Sequence, residues 1–294
     1  MPFAVGSRVR LYFEVHGEGE PLLLVMGRGS EHHGWDPVLG DFARRFWVTV
    51  YDHRGTGASE KPSAPRYTTR LLAADAIGIP DHLGIERAHQ FGISMGGRVC
   101  RLLAIDSAER VGAVVLGYTT PGDAHGVRRR PEVDEAMRNP PADPEAAAAY
   151  LAEEMVSPGW LAAHLEYLEF LRERARNSVP AYARRLHYGA SQGHDTWERL
   201  PEIRAPVLVI HGRQDRINPT AKAELLASRM SGGGAAIGRR GAARVVHRVS
   251  RGGERSGGGV SGASHNEVGC GHAFATEDHG VFAGRWAASR SGAG

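Results

Sequence analysis

The chain has 294 residues, 41% of them hydrophobic, and can therefore bury the core of one large domain, with or without an insertion. Its net charge of +3 is unevenly spread: the first 230 residues hold 28 basic and 29 acidic side chains, and the remainder holds eight arginines against four acids. The positive charge thus lies in a glycine-rich tail, which argues against a nucleic-acid-binding protein.

The sequence gives no sign of a membrane or secreted protein. No apolar run approaches the about 20 residues of a transmembrane helix, and the N-terminal residues lack the apolar centre of a signal peptide. The cysteines, Cys100 and Cys270, are far apart and form no disulfide framework. We therefore expect a cytoplasmic protein that binds no membrane, and nothing in the sequence fixes its oligomeric state.

Apolar segments in the first 120 residues predict a series of strands. Residues 8–15 alternate apolar and polar side chains, which is typical of a half-buried strand. Residues 22–25 are fully apolar, as in a strand covered on both faces, and further strands are predicted at 46–51, 88–93 and 111–117.

Helical segments lie between these strands. A helix is predicted over 68–83, where Gly78 and Pro80 should kink or shorten it, and another over 98–105. The alternation of strands and helices predicts an α/β fold with a mainly parallel central sheet and helices on both faces.

Residues 119–200 differ in character, because prolines divide them into short helices. Asp143 and Pro144 favour a helix start, and four leucines fall on one face of a later helix, which predicts core packing (Leu161, Leu165, Leu168 and Leu171). Tyr167 and Phe170 fall off that face and are candidates to bind substrate.

A helical insertion at this point of a parallel sheet is expected to form a cap above the ends of the strands, where ligands bind. The predicted organisation is therefore a helical cap over 119–200 and a core formed by 1–118 and 201–294, of which 231–268 is atypical.

The stretch Gly92-Ile93-Ser94-Met95-Gly96-Gly97 joins a predicted strand to a predicted helix. Its spacing indicates a nucleophile elbow, in which a sharp turn holds Ser94 in a strained conformation. The glycines are needed because helix and strand pass too close for a Cβ, and the helix N-terminus favours developing negative charge. Cys100, on the same helix, is interpreted as a core residue.

Two loops follow predicted strands on the same side of the sheet. Met26-Gly27-Arg28-Gly29-Ser30 can turn a backbone N–H towards Ser94. Asp52-His53-Arg54-Gly55-Thr56-Gly57 is interpreted as a hydrogen-bonded turn that Asp52 and Arg54 brace, with His53 as a surface or loop histidine.

A serine is a poor nucleophile unless a base takes its proton and a third group orients that base. Asp215 follows the predicted strand 206–210 and is the candidate acid, with Asp123 as the alternative. His272, in a glycine-flanked loop, is the candidate base, and His265 and His247 are the alternatives.

The chain order serine, aspartate, histidine, together with these motifs, resembles the α/β-hydrolase fold superfamily. The resemblance implies that Ser94 is the nucleophile, His272 the general base and then acid, and Asp215 the orienting carboxylate. It also implies an oxyanion hole made by the backbone N–H groups of Arg28 and Met95. The sequence motif around Ser94 is most similar to those of enol-lactonases, cofactor-free perhydrolases and carbon–carbon bond hydrolases. The loop at Met26 is similar to that of small-molecule methylesterases.

The expected function is that of a serine hydrolase cleaving an ester or lactone of a small, largely apolar molecule. No metal or organic cofactor is expected, since no His/Cys/Asp cluster has ligand spacing. The expected partner is a small-molecule substrate. Perhydrolysis or carbon–carbon bond hydrolysis with the same triad remains an alternative, as does a non-catalytic ligand-binding protein on this scaffold.

The composition breaks at residues 231–264, which hold eleven glycines and six arginines. This bias is typical of a low-complexity linker, with 243–249 as the segment that could form a strand. One hypothesis is that the coding frame is shifted here and restored near Gly269. A peptide mass map of the expressed protein tests it: peptides that match the printed residues throughout 231–268 would remove the hypothesis.

Overall fold

The structure, a computed structural model, describes residues 2–63, 65–122, 124–156, 158–176, 179–212, 215 and 217–230, and the backbone of two strands at 233–238 and 245–246. Four candidate residues lie outside this part of the chain: Asp123, His247, His265 and His272. Within the described part, no helix has the length and apolar character needed to cross a membrane.

The strands that the structure describes are β1 (Phe3–Val5), β2 (Arg10–His16), β3 (Glu20–Val25), β4 (Phe46–Tyr51), β5 (Ala88–Ile93), β6 (Val111–Gly117), β7 (Val207–Gly212), β8 (Gly233–Gly238) and β9 (Val245–Val246). They form one sheet in the order β1-β2-β4-β3-β5-β6-β7-β8-β9. From β4 to β8 all neighbours are parallel, whereas β1, β2 and β9 add antiparallel edges. The predicted mainly parallel sheet is confirmed.

The described α-helices are α1 (Asp36–Ala43), α2 (Thr69–Ala76), α3 (Gly78–His82), α4 (Met95–Asp106), α5 (Pro131–Arg138), α6 (Pro144–Met155), α7 (Pro158–Ala163), α8 (Leu165–Arg176), α9 (Ala181–Gln192) and α10 (Ala221–Ser228). Side chains of β3 alternate between two core clusters, with Leu23 and Val25 in the one that includes α4, and Leu22 and Leu24 in the one that includes α1. The sheet is therefore covered on both faces, as predicted.

The predicted helix over 68–83 is interrupted at Ile77, between α2 and α3. Thr68 caps its start by accepting a hydrogen bond from the backbone N–H of Leu71 at 3.0 Å. A Cβ on Gly78 would lie 2.4 Å from the Val5 carbonyl oxygen, so the glycine lets β1 approach the helix.

Of the described α-helices, α5 to α9 lie between β6 and β7 in the chain. Asp143 caps α6 as predicted, accepting from the Ala146 N–H at 2.8 Å. The prediction for Leu165 was wrong, because this side chain is 66% exposed. The helix is interrupted at His164 before α8 begins. Helix α8 buries Leu171, which was on the predicted face, and also Tyr167, which was not. The assignment of 119–200 as a cap stays a prediction.

Strand β8 corrects the interpretation of the glycine-rich segment as a linker. It pairs in parallel with β7 over six residues, from Val207 opposite Gly233 to Gly212 opposite Gly238. Glycine and alanine have little strand propensity of their own, so the sequence of β8 gave no strand signal. The backbone hydrogen bonds offered by the edge of β7 account for the pairing.

The loop after β4 is braced by its own polar side chains, as predicted. Asp52 Oδ2 accepts the Ala58 N–H at 2.8 Å, and Oδ1 accepts the backbone N–H of His32 at 2.8 Å. Arg54 donates two hydrogen bonds to the Asp75 carboxylate, at 2.5 and 2.6 Å. His53 lies in this loop, as predicted, but it is not at the surface, because its side chain is fully buried.

Asp52 also forms a buried ion pair, with its Oδ1 2.8 Å from His32 Nδ1. Burial alone would lower the pKa of His32, but the hydrogen bond and charge of Asp52, with Glu14, outweigh it and raise that pKa. Burial alone would likewise raise the pKa of Asp52, but hydrogen bonds from the His32 side chain and backbone lower it. Both shifts favour the charged pair.

The pair should therefore stabilise the protein over a defined pH window. The contribution of Asp52 is present above its unfolded pKa of about 3.9, and that of His32 is complete below about 6.5 and is lost as pH rises through the raised folded value. We expect the difference in unfolding midpoint between wild type and His32→Asn to be largest near pH 5–6 and to shrink towards pH 9. Asn keeps a neutral donor near Asp52 but cannot become charged. A difference in unfolding midpoint that stays constant over this pH range would therefore contradict the charged His32–Asp52 pair.

Candidate active site

Ser94 stands at the turn between β5 and α4, with φ +54° and ψ −112°. A non-glycine residue with positive φ costs about 1–3 kcal/mol and persists only where its surroundings hold it. The Ser94 N–H donates to the Gly117 carbonyl at 2.8 Å, and the Thr119 hydroxyl donates to the Ser94 carbonyl at 2.7 Å. The strained geometry of a nucleophile elbow is thus fixed on both sides of the serine.

Neighbouring glycines make this turn sterically possible. A Cβ on Gly92 would lie 2.4 Å from the Gly96 carbonyl oxygen, and a Cβ on Gly96 would lie 2.0 Å from the Val25 carbonyl oxygen. Both contacts are with backbone atoms, which cannot swing aside. The Gly92 contact is the close approach of helix and preceding strand that the sequence pattern predicted, and the Gly96 contact shows that the α4 N-terminus also packs directly against the end of β3.

The loop after β3 runs beside the serine. Val25 lies opposite Gly92 in the parallel pairing of β3 and β5, so the two strands end at the same level of the sheet. A Cβ on Gly27 would lie 3.5 Å from the Ser94 Cβ. Gly27 is therefore next to the Ser94 side chain. The oxyanion-hole role of the Arg28 and Met95 N–H groups stays a prediction.

The side chain of Arg28 extends towards the helices between β6 and β7. Its Nη1 donates to the Met137 carbonyl at 2.7 Å, and its guanidinium lies over the Tyr188 ring, 5.1 Å from the centroid. Burial, reinforced by the charge of Arg129, lowers the pKa of Arg28 to about 10, so the group stays cationic at neutral pH. The Arg28 side chain therefore ties the loop after β3 to α5 and α9.

Asp215 lies at the same edge of the sheet, in the loop after β7. Its Oδ1 accepts the backbone N–H groups of Ile217 and Asn218 at 2.8 and 2.7 Å, and its Oδ2 is 3.2 Å from His211 Nε2. The Asn218 side chain donates to the Tyr118 carbonyl at 2.7 Å, which anchors the loop to the end of β6. The carboxylate is thus held in one orientation.

Ile93, Gly117 and Ile210 stand side by side on β5, β6 and β7. Adjacent strands are about 4.8 Å apart, so the ends of β5 and β7 are separated by roughly 10 Å. The structure brings Ser94 and Asp215 to the same edge of the sheet, with the end of β6 between them. The candidate bases His272, His265 and His247, and the alternative acid Asp123, lie outside the described residues.

The remaining candidates occupy other positions. Tyr167 is buried in the cluster between α6, α7 and α8, where its ring lies 5.3 Å from that of Trp160, and Phe170 packs against the same cluster. Their role in substrate binding stays a prediction. Cys100 is buried in the main core, where burial raises the pKa of its thiol, which confirms it as a core residue. Among the described residues, no His, Cys, Asp or Glu side chains gather into a metal-binding group.

Two buried histidines at this site were missed from the sequence, His53 and His187. His53 Nε2 lies 3.0 Å from the Met26 carbonyl oxygen, and His187 Nδ1 lies 3.2 Å from the Gly29 backbone N. For His53 the signal was its position directly after a strand end at the ligand-binding edge of the sheet. His187, on α9, contacts a backbone 158 positions away, and no local pattern indicates that contact.

The elbow, the neighbouring glycine loop and the late aspartate at one edge of a parallel sheet define an α/β hydrolase. Residues 20–233 match the α/β-hydrolase fold family, and the chain belongs to this family. The match ends within β8, at the point where the composition of the chain breaks.

The relatives of the chain are named for different activities. The chain is 32% identical over 230 residues to a putative carbamate hydrolase, RutD, of Azorhizobium caulinodans, covering 77% of this chain and 85% of the relative. It is 31% identical over 232 residues to a 2-hydroxy-6-oxononadienedioate/2-hydroxy-6-oxononatrienedioate hydrolase of Paraburkholderia phymatum, covering 73% and 77%. Among solved structures, the enol-lactonase from Burkholderia xenovorans LB400 matches with a TM-score of 0.68 at 26% identity, over 83% and 92% of the two chains.

The close contact at Gly96 generates a test of the elbow. Gly96→Ala would force a methyl group against the Val25 carbonyl, and we expect it to destabilise the protein by about 1–3 kcal/mol and to displace Ser94. The measurement is the free energy of unfolding in urea. Gly40→Ala on α1 is the matched control, because a Cβ there meets no atom within 4 Å and a helical alanine is favourable. Equal stability of the two variants would contradict the close packing of β3 and α4.

Proposed function

We propose that this protein is a serine hydrolase that cleaves a carboxylic ester or lactone of a small, largely apolar molecule through an acyl-enzyme on Ser94. The observation that carries the proposal is the strained backbone of Ser94, which two hydrogen bonds and two obligatory glycines maintain at the end of β5. Strain of this kind persists at functional sites, where it presents a reacting group.

In the proposed reaction, the Ser94 hydroxyl attacks the carbonyl carbon and gives its proton to the imidazole of His272. The carbonyl oxygen becomes an oxyanion that accepts hydrogen bonds from the N–H groups of Arg28 and Met95. The imidazolium then protonates the leaving alcohol oxygen as the carbon–oxygen bond breaks, which leaves the acyl group on Ser94. A water molecule, deprotonated by the same imidazole, releases the acid and restores the serine.

Asp215 is proposed to orient the imidazole. Two backbone N–H groups fix one of its oxygens, so the carboxylate can hold a histidine without rotating itself. Positioning of this kind keeps the proton of the imidazole on the nitrogen that faces away from the serine.

The alternative within the same machinery is the hydrolysis of a carbon–carbon bond. The relative of Paraburkholderia phymatum is named for dienedioate and trienedioate substrates, and these compounds contain no ester to cleave. The name of the RutD relative favours a carbamate instead. Turnover of matched substrates that differ in the scissile bond, an aryl ester, an enol-lactone, a carbamate and a 1,5-diketone, separates these cases.

A fluorophosphonate probe tests the nucleophile directly. We expect labelling of the wild type and of Ser107→Ala, at the other end of α4, and none of Ser94→Ala. A folded wild-type protein that stays unlabelled would favour the non-catalytic ligand-binding protein.

Hydrolysis of p-nitrophenyl acetate tests the base. We expect Ser94→Ala and His272→Ala each to lower kcat by roughly a thousandfold or more, and His265→Ala and His247→Ala to retain it. Activity that survives His272→Ala but is lost in His265→Ala would assign the base to His265.

A further inference from the structure

Two fully buried imidazoles flank the loop after β3. His53 comes from the loop after β4 and lies with Nε2 3.0 Å from the Met26 carbonyl oxygen. His187 comes from α9 and lies with Nδ1 3.2 Å from the Gly29 backbone N. The two rings make an edge-to-face contact, with their planes nearly perpendicular and their centroids 6.0 Å apart. Neither histidine has a part in the proposed chemistry.

The hydrogen-bond partners fix the proton on each ring. A carbonyl can only accept, so His53 carries its proton on Nε2 and leaves Nδ1 to accept from the Tyr51 hydroxyl at 3.3 Å. His187 donates from Nε2 to the Arg54 carbonyl at 2.9 Å, which leaves Nδ1 to accept the Gly29 N–H. Both nitrogens of both rings are therefore used, and each ring acts as a neutral imidazole.

Burial keeps them neutral. It lowers the pKa of both side chains, and together with the neighbouring His53 it lowers the pKa of His187 to about 3. A protonated His187 would lose the lone pair that accepts the Gly29 N–H. The contacts are therefore retained at any pH at which such an enzyme would be assayed.

The two contacts fall on either side of one peptide unit. The Met26 carbonyl belongs to the peptide that joins Met26 to Gly27, and the Gly29 N–H belongs to the peptide that joins Arg28 to Gly29. The unit between them joins Gly27 to Arg28, lies beside Ser94 and carries the N–H proposed for the oxyanion hole. With glycine on both sides of Arg28, and φ +62° at Gly29, this loop has little stiffness of its own.

We propose that His53 and His187 are positioning residues that clamp the Gly27–Arg28 peptide unit, so that its N–H points at the oxyanion formed on the substrate of Ser94. This inference rests on the proposed function. Because His187 belongs to α9, in the helical segment between β6 and β7, the clamp also makes the alignment of the oxyanion hole depend on the placement of that segment. Misplacing a preorganised donor by a fraction of an ångström weakens its hydrogen bond to the oxyanion of the transition state, and it changes the binding of the uncharged substrate much less.

Conservative substitutions separate the two nitrogens of each ring. The amide of an asparagine occupies the place of a histidine Nδ1, and that of a glutamine the place of Nε2. His187→Asn can still accept the Gly29 N–H but loses the Arg54 carbonyl, and His187→Gln does the reverse. At position 53 the roles are inverted: His53→Gln can still donate to the Met26 carbonyl, and His53→Asn cannot.

The experiment compares these four variants with the exposed His82→Gln as control, using p-nitrophenyl acetate and unfolding midpoints. We expect His53→Asn and His187→Gln to lower kcat roughly tenfold to a hundredfold with KM within about twofold. His53→Gln and His187→Asn should keep kcat within about threefold of wild type. Affinity for a trifluoromethyl ketone, whose adduct carries an oxyanion, should fall in step with kcat. If kcat falls in proportion to the loss in unfolding midpoint, whichever nitrogen is replaced, the proposal is overturned. It is also overturned if kcat is unchanged in all four variants.

Amide hydrogen exchange of the loop provides a readout that needs no turnover. The Gly29 amide should exchange faster in His187→Gln than in His187→Asn, and equal exchange in the two would also overturn the clamp. A wild type that neither reacts with a fluorophosphonate nor hydrolyses the ester would instead overturn the proposed function, whatever the exchange rates show.

Discussion

The site depends on the close approach of three backbone segments: the end of β3, the end of β5 and the first turn of α4. Gly92 and Gly96 permit contacts that no Cβ could share, and the resulting turn holds Ser94 at positive φ. The strain costs about 1–3 kcal/mol, and hydrogen bonds from the end of β6 oppose its release. These contacts with the neighbouring strands hold the backbone of Ser94 in the conformation of the elbow.

Strand order explains why the other parts of the site gather here. In the sequence β4-β3-β5-β6-β7, the loops after β3 and β5 are neighbours, and the loop with Asp215 lies two strands further on. The loop after β4 approaches from the opposite side, with buried Asp52, His53 and Arg54 all bonded to partners. Buried polar groups of this kind are tolerable only when satisfied, and His53 also holds the loop beside Ser94 through the Met26 carbonyl.

The sequence indicated the fold well where the signal is local. Strands β4, β5 and β6 have the predicted bounds, because each is a short, mainly apolar segment that ends at turn residues. The α2–α3 break and the Asp143 cap follow from the chemistry of single residues. Strand β8 was missed because glycine and alanine carry no strand preference, and the partner strand supplies the pairing. Leu165 was misplaced because helical periodicity was extended through the break at His164.

The same distinction applies to the site. Ser94 and its glycines could be identified from spacing alone, since their role is local. His187 could not, because the backbone atom that it bonds lies 158 residues away and leaves no trace in a side-chain pattern. For His53 the sequence offered only its position after a strand end, and not its bond to the Met26 carbonyl, 27 residues away. The family relationship narrows the chemistry to that of α/β hydrolases, while the names of the relatives span several scissile bonds.

The central claim is that Ser94 is a nucleophile whose developing oxyanion is held by the N–H groups of Arg28 and Met95. A crystal structure of the protein after reaction with a phosphonate ester tests it most directly. The account predicts a phosphorus bonded to Ser94 Oγ and a phosphonyl oxygen about 2.7–3.1 Å from both nitrogens. An adduct on another residue, or a phosphonyl oxygen that turns away from the loop after β3, would contradict it.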